Sequence, residues 1–302
     1  RLRHSQYKAD PLLQGMHAKC PWLVVWDDHE VDNNYANDIS EELHVDPVQF
    51  LIRRANAYQA YYEMMPLRAR SIPHGPDMRL YRSLSFGRLA EFLMLDTRQY
   101  RTDQPNGDGM RELTGDALSP KGTMLGRRQF GWVQASLLRS TAKWNVLAQQ
   151  VMMAQVANDN GYYMDGWPGY SYERGRLMTF LDERQVANPI VLTGDSHNNW
   201  VNELRIDDRN PETPVLATEF MGTSISSAGD GGKNEELASK LMARNPGVRY
   251  FNGERGYIRC TVTPETWQSD VRVVEYISRP GAPIKTRASF VVESGQPGTK
   301  MA

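Results

Sequence analysis

Residues 26–35 read Trp26-Asp27-Asp28-His29-Glu30-Val31-Asp32-Asn33-Asn34-Tyr35, so acids, a histidine and two asparagines crowd in directly behind the apolar run Trp22 to Trp26. Carboxylates packed this closely at the mouth of a sheet repel one another and lose hydration, which raises their pKa values unless a positive charge sits among them. A metal cation supplies that charge. Asp and Asn oxygens suit hard ions such as Ca²⁺, Mg²⁺, Mn²⁺ or Fe³⁺, and a histidine serves there as ligand or proton donor. The competing reading is a surface loop whose acids are solvated and cap the next helix. So apolar a run leading straight into acids and a histidine favours the metal site.

A second constellation, Thr193-Gly194-Asp195-Ser196-His197-Asn198-Asn199-Trp200, follows the apolar run Ile190 to Thr193. Gly194 permits a turn or a close approach to a ligand. Asp195 and His197 stand two residues apart, which in an extended segment points both side chains to one side. Taken alone, Asp195 could equally orient His197 through a structural hydrogen bond. Taken with the acidic elbow, it fits the rule that parallel strands present their C-terminal ends to one shared crevice. Asp28 and Asp195 are therefore expected to converge although 167 positions (195 − 28) separate them.

Asp96-Thr97-Arg98-Gln99-Tyr100-Arg101 ends a third apolar run. Arg98 either grips a phosphate with its planar fork or pairs with Asp27 or Asp96 to hold the loop. Arg98 and, within the elbow, Asn33 are the candidate substrate contacts. The turn-rich stretch Asn158 to Tyr170, with Asn160-Gly161-Tyr162-Tyr163 and Trp167-Pro168-Gly169-Tyr170, fits a pocket wall or a core corner equally well.

The elements that must carry these residues are apolar runs alternating with amphipathic stretches. Strands are expected at Trp22 to Trp26, Leu89 to Leu95, Asn145 to Val151 and Ile190 to Thr193. Asp46-Pro47 opens a helix with an N-cap acid and a proline at the first helical position. Val48, Leu51, Ala55, Tyr58, Tyr62 and Met65 give that helix one apolar face to lay on a sheet, and Pro66 ends it. Further helices are expected over 127–140, through Phe130, Val133 and Leu137, and over 172–186, through Leu177, Phe180 and Leu181. The C-terminal third turns β-rich at Val215 to Phe220, Tyr257 to Val262 and Val271 to Tyr276, around a Gly/Ser/Asp-rich loop 222–233 and a short helix near 235–243, which suggests a second sheet. Residues 293–302 read as a fraying tail.

With 35 Lys+Arg against 36 Asp+Glu in 302 residues, the chain carries a formal net charge of −1 and shows no basic stripe of the kind that tracks nucleic acid. No apolar run reaches the roughly 18–20 residues of a membrane span. Cys20 and Cys260 form neither a spaced metal motif nor a disulfide framework and are assigned to ordinary packing.

These motifs together resemble the PhoD family of alkaline phosphatases and phosphodiesterases. The resemblance is carried by Tyr7-Lys8-Ala9-Asp10-Pro11, the elbow 26–35, Leu95-Asp96-Thr97-Arg98-Gln99-Tyr100-Arg101, Trp144 to Gln150, Thr193-Gly194-Asp195-Ser196-His197, Gly222-Thr223-Ser224-Ile225-Ser226-Ser227 and Asn252 to Tyr257. It implies an α/β fold like that of the calcineurin-like metallophosphoesterases, a two-sheet sandwich flanked by helices in four αββα layers. Residues 1–292 would be the C-terminal part of the catalytic domain, downstream of an N-terminal β-domain and of a Gly-Asp-x-x-Tyr segment whose aspartate bridges two metals. The departures are that absent segment and Trp167-Pro168-Gly169, where the family has an acid between Trp and Gly. The resemblance further implies Asp27, Asp28, Asp195 and His197 as metal ligands, His29 as the catalytic proton donor, an Fe³⁺ ion with Ca²⁺ ions as cofactors, hydrolysis of small-molecule phosphate monoesters and diesters, and twin-arginine export to a periplasmic or extracellular location. The alternative reading is a non-catalytic fragment that binds metal or phosphate without turnover. A metal-dependent nuclease would need a basic groove that the composition does not show.

Overall fold

Local chemistry sets the helix starts. Asp10 and Asp46 each accept two backbone N–H groups through one carboxylate oxygen and are each followed by proline, opening α1's successor α2 (Pro11–Lys19) and the long α3 (Pro47–Met64). The first helix, α1, spans Leu2–Lys8. The computed structural model describes residues 1–42 and 44–302. After α3 the chain forms β1 (Arg82–Phe86), β2 (Ala90–Met94), β3 (Met110–Arg111), α4 (Gly126–Arg139), β4 (Trp144–Ala148), β5 (Tyr162–Tyr163), α5 (Ser171–Glu183), β6 (Pro189–Thr193), β7 (Asn199–Leu204) and β8 (Ala217–Met221). Then come α6 (Glu235–Arg244), β9 (Val248–Asn252), β10 (Arg255–Val262), β11 (Thr266–Val274), β12 (Lys285–Glu293) and β13 (Gln296–Met301).

Seven strands form one sheet in the order β1-β2-β4-β6-β8-β7-β9. Its centre, β2-β4-β6-β8, is parallel; β1 and β7 run antiparallel to it on either flank, and β9 pairs antiparallel with β7 at the edge. The crossovers from β2 to β4 and from β4 to β6 run through α4 and α5, so these strands deliver their C-terminal ends to the same edge of the sheet. Strands β7 and β8 are buried at every position, as strands covered on both faces must be. A second sheet, β10-β11-β12-β13, is wholly antiparallel, and β3 with β5 makes a two-stranded ribbon.

Two cores hold these layers. On one face of the large sheet, Leu93, Leu147 and Val191 stand in a row across β2, β4 and β6 and pack against Phe130, Val133 and Leu137 of α4 and Leu177, Met178 and Leu181 of α5. On the other face, Trp144, Val146, Ile190, Val201 and Phe220 meet Trp267, Val271, Val273, Phe290 and Val292 of the second sheet. Trp144 and Trp267 touch edge to face at 5.8 Å, and the Trp144 indole N–H donates to the Thr263 carbonyl at 2.7 Å, tying the two sheets together. The chain is thus the mixed α/β, two-sheet structure anticipated. Its helices α4, α5 and α6 lie on the large sheet's side, while the outward face of the second sheet carries exposed Tyr257, Arg259 and Thr261.

Several expectations are corrected. Residues 21–27 are extended but join no sheet. α3 follows the expected bounds and stops one residue before Met65-Pro66, yet it buries Phe50, Arg54, Tyr58 and Tyr61 and leaves Val48 exposed. It packs on Val24 and Trp26 of that extended segment instead of on a sheet. β8 belongs to the first sheet and not the second. The tail is ordered: β13 pairs with β12, and the Thr299 N–H donates to Glu203 Oε1 at 3.2 Å. Cys20 is exposed where packing was expected.

Candidate active site

The site sits on the C-terminal edge of the parallel strands. Its first wall is the segment 21–27, held by side chains alone. Trp26 stacks on Tyr58 at 4.0 Å and 7°, its indole N–H donates to Asp96 Oδ1 at 3.1 Å, and Arg82 donates to the Val24 carbonyl at 2.7 Å. Behind Trp26 the chain turns around Asp28. The Asp28 carbonyl accepts the N–H groups of Val31 and Asp32, each at 2.8 Å, while its carboxylate accepts those of His29 at 2.8 Å and Asn34 at 3.0 Å. The second wall follows β2, where the fully buried Asp96 accepts from Trp26, from the N–H groups of Arg98 and Gln99, and from the Gln99 amide. The third is Gly194-Asp195 at the end of β6.

These walls bring Asp27, Asp28 and Asp195 together, with one oxygen from each lying within 4.8 Å of the others. Arg98, fully buried, runs between them. Its Nε donates to Asp27 Oδ1 at 2.6 Å, Nη1 donates to Asp165 Oδ1 at 2.8 Å, and Nη2 lies 3.5 Å from Asp195 Oδ1 without a hydrogen bond. Asp165 Oδ1 also accepts from Arg101 Nη1 at 2.7 Å and from the Gln104 amide at 2.7 Å. Burial pushes the Asp195 carboxyl well above the usual carboxylate range; Asp27 adds to this and Arg98 opposes it. Burial likewise raises Asp27, against the pull of Arg98. At Asp165 burial works in the same direction, but Arg101 and Arg98 outweigh it and bring the carboxyl down to about 2. Four carboxylates against two guanidiniums leave the centre short of positive charge, and the shortfall lies on the Asp27, Asp28 and Asp195 side.

The expected residues fare differently. Asp28 and Asp195 converge as anticipated, and Asp27 joins them. His29 stands over Asp28, its Nε2 3.9 Å from Asp28 Oδ2 and its side chain 73% exposed. Arg98 realises the pairing alternative, since its three nitrogens all face carboxylates. Asn33 is exposed and donates to Glu41; its neighbour Asn34 bridges Glu41 at 3.2 Å and the Tyr163 hydroxyl at 3.1 Å. The extended geometry assumed for Asp195 and His197 is not adopted. Asp195 and His197 themselves take left-handed backbone, with φ of 70° and 56°, whereas Gly194 does not. The alternation rule then fails, and the His197 side chain lies outside the three-carboxylate cluster. The His197 carbonyl instead accepts from Arg255 and, at 2.8 Å, from the Thr223 hydroxyl.

Sequence reasoning gave no role to Asp165, and none to Arg101 or Arg255 beyond their place in the segments that carry the resemblance; Tyr163 lay in the stretch read as wall or corner. Asp165 is a lone acid after Met164, with no spacing that marks it, and only the β3–β5 ribbon and the turn at Gly166 bring it under Arg98. The aromatic stretch proves to be both wall and corner: Tyr163 and Pro168 line a pocket beside Asp195, while Trp167 and Tyr170 are core. Gly169 is required there, since a Cβ would stand 2.1 Å from the Met164 carbonyl oxygen.

The sequence pattern of the PhoD-like phosphatases matches residues 1–271. Alkaline phosphatase D of Bacillus subtilis (strain 168) is 46% identical over 304 aligned residues, covering 99% of this chain and 52% of that protein. A solved structure described as "Structure of PhoD" superposes with a TM-score of 0.95 at 45% identity, covering 99% of this chain and 58% of that one. This chain thus spans about half the length of the relatives it matches. The motif-bearing segments, the fold and the converging carboxylates agree with the match: the chain belongs to the PhoD-like phosphatase family.

Proposed function

We propose that the chain hydrolyses phosphate monoesters and diesters in a metal-dependent reaction. The observation that carries this reading is the convergence of Asp27, Asp28 and Asp195 beneath His29. The donor set fits a hard cation, because all three converging atoms are carboxylate oxygens and burial leaves two of the groups in need of a positive neighbour. We assign Asp27, Asp28 and Asp195 as ligands; His197, whose side chain lies outside their cluster, is added as the nitrogen donor on the family resemblance alone. Fe³⁺ and Ca²⁺ are the ions that the resemblance favours. Such ions supply Lewis-acid polarisation of phosphoryl oxygens and a bound water of lowered pKa.

The chain's own residues do the rest. Arg98 and Asp165 fix the angle of Asp27 and limit repulsion within the cluster without touching substrate. Asn34, through its backbone bond to Asp28 and its side-chain bond to Tyr163, locks the elbow in its turn. His29, exposed at the rim, is placed to hand a proton to the departing alkoxide. No described helix is long and apolar enough to cross a membrane, and export outside the cytoplasm is our reading from the family resemblance alone.

The test is metal content and turnover on one preparation. Iron and calcium retained through gel filtration, with hydrolysis of bis(p-nitrophenyl) phosphate, supports the proposal. Asp28→Asn and Asp195→Asn should each reduce retained metal and turnover together. Metal bound with no turnover would leave a binding module in its place.

A further inference from the structure

Beside the carboxylate cluster lies a pocket of about 270 Å³. Asp195, Ser196 and Asn198 form its inner rim, and its walls are Met152, Trp200, Leu237, Leu241 and Phe251. Trp200 and Phe251 meet edge to face at 4.5 Å, and the Trp200 indole N–H is already engaged by the Ser196 hydroxyl at 3.1 Å, so the pocket meets the apolar body of the indole and not its polar tip. Leu237 on α6 is 46% exposed although it lines this cavity. The lining includes no Lys or Arg, and its one charged group is the Asp195 carboxylate.

We infer that this pocket receives the alcohol moiety of the phosphate ester, and that it selects esters whose alcohol part is apolar or aromatic over those carrying further phosphates. The assignment rests on the phosphoesterase reading, because Asp195 is what joins pocket to reaction centre. With the metal site taken by the reacting phosphoryl group, a second phosphate in the pocket would meet no Lys or Arg in its lining, and an anion taken out of water without a paired cation is strongly disfavoured. An aromatic ring or short aliphatic chain fits on both chemistry and size, since 270 Å³ falls just below the roughly 300–1,000 Å³ of pockets that hold drug-sized ligands. The Ser196 hydroxyl is taken up by the Trp200 indole and Met221 Sδ, so of these two it is the Asn198 amide, whose nitrogen also donates to the Ser196 carbonyl at 2.8 Å, that offers a hydrogen bond to the part of the alcohol nearest phosphorus.

The experiment compares two unreactive analogues, phenylphosphonate and methylphosphonate, as competitive inhibitors of the metal-loaded protein, with 4-nitrophenylphosphonate quenching of tryptophan fluorescence as a readout independent of turnover. Phenylphosphonate should inhibit about tenfold or more tightly than methylphosphonate, the ratio expected for burying one ring. Leu237→Asp should bring that ratio toward one. Quenching by the nitrophenyl compound should be largely lost in Trp200→Phe. Equal inhibition by the two phosphonates, or quenching that survives Trp200→Phe, overturns the pocket assignment and leaves the phosphoesterase reading standing. Failure of both phosphonates to bind overturns the two together.

Discussion

Replacing Asp165 with asparagine tests the charge arrangement beneath the site directly. The substitution keeps the shape and removes the charge that faces Arg98 Nη1, Arg101 Nη1 and the Gln104 amide. A carboxyl brought from roughly 3.9 in an unfolded chain down to about 2 in the folded one contributes about 3 kcal/mol of stability at neutral pH. Stranding a buried partner sets an upper range of roughly 3–5 kcal/mol. Arg98 retains Asp27 at 2.6 Å, so Arg101, which loses its only carboxylate, bears most of the loss. A value of about 3 kcal/mol is therefore expected, with Tm lowered by about 5 °C. Because the folded pKa is depressed, this stabilisation is complete above the unfolded value and fades as pH falls through 3.9 toward 2; about half should remain at pH 3. Urea unfolding of parent and variant at pH 7 and pH 3, with a chelator present so that metal binding adds nothing, measures both numbers. A gap below about 1 kcal/mol at pH 7, or one that does not narrow at pH 3, would refute the reasoning.

Four other outcomes follow from the same geometry. His29→Ala should lower kcat by roughly 10²–10⁴-fold on an ester with a poor alkoxide leaving group and far less on a p-nitrophenyl ester; equal losses, with metal content checked, would point to a positioning role. Trp144→Ala, which removes the indole between the two sheets, should cost roughly 3–5 kcal/mol in denaturant unfolding, whereas Trp144→Phe should lose only the bond to Thr263. Arg255→Lys gives up a fork that holds the His197, Thr223 and Gly229 backbone and side-chain groups, so amide exchange over 194–198 and 223–231 should accelerate while the rest of the chain is unchanged. Deleting 296–302 should lower Tm and make β12 a bare edge, visible as concentration-dependent association in light scattering; an unaltered Tm would restore the fraying-tail reading.

What could be read in the sequence was local or followed from short periodicities. Asp46-Pro47 marks the start of α3 because N-cap and proline chemistry act within four residues, yet the buried face of that helix was missed, because its partner Trp26 lies in a continuous apolar run that looks like a strand. Whether such a segment joins a ladder depends on a neighbour far away in the chain. Asp28 and Asp195 were legible because each follows closely on an apolar run, although only the run before Asp195 is a strand of the sheet. The His197 geometry was not, since the left-handed backbone at Asp195 and His197 is accompanied by hydrogen bonds to the His197 carbonyl from Arg255 at the start of β10 and from Thr223 after β8, both distant in the chain. Asp165 carries no local mark at all; only the folded chain shows that it is the partner of two buried arginines.

The unladdered segment 21–27 gives the two halves of the cluster unequal mechanical standing. Asp195 is fastened to the central parallel strands, whose opening requires something close to global unfolding, whereas Asp27 and Asp28 hang from a run that no ladder hydrogen bonds secure, held by its small apolar cluster with α3, one indole N–H, one guanidinium and an ion pair. That run can peel from α3 and β2 as a unit while the sheet stays whole. An ion gripped by both halves would then act as a clasp between a rigid wall and a hinged one, and its escape rate would track the peeling of the hinged wall and not the melting of the domain. Native-state exchange at 22–30 and metal off-rates should consequently rise and fall together, even among variants of identical Tm.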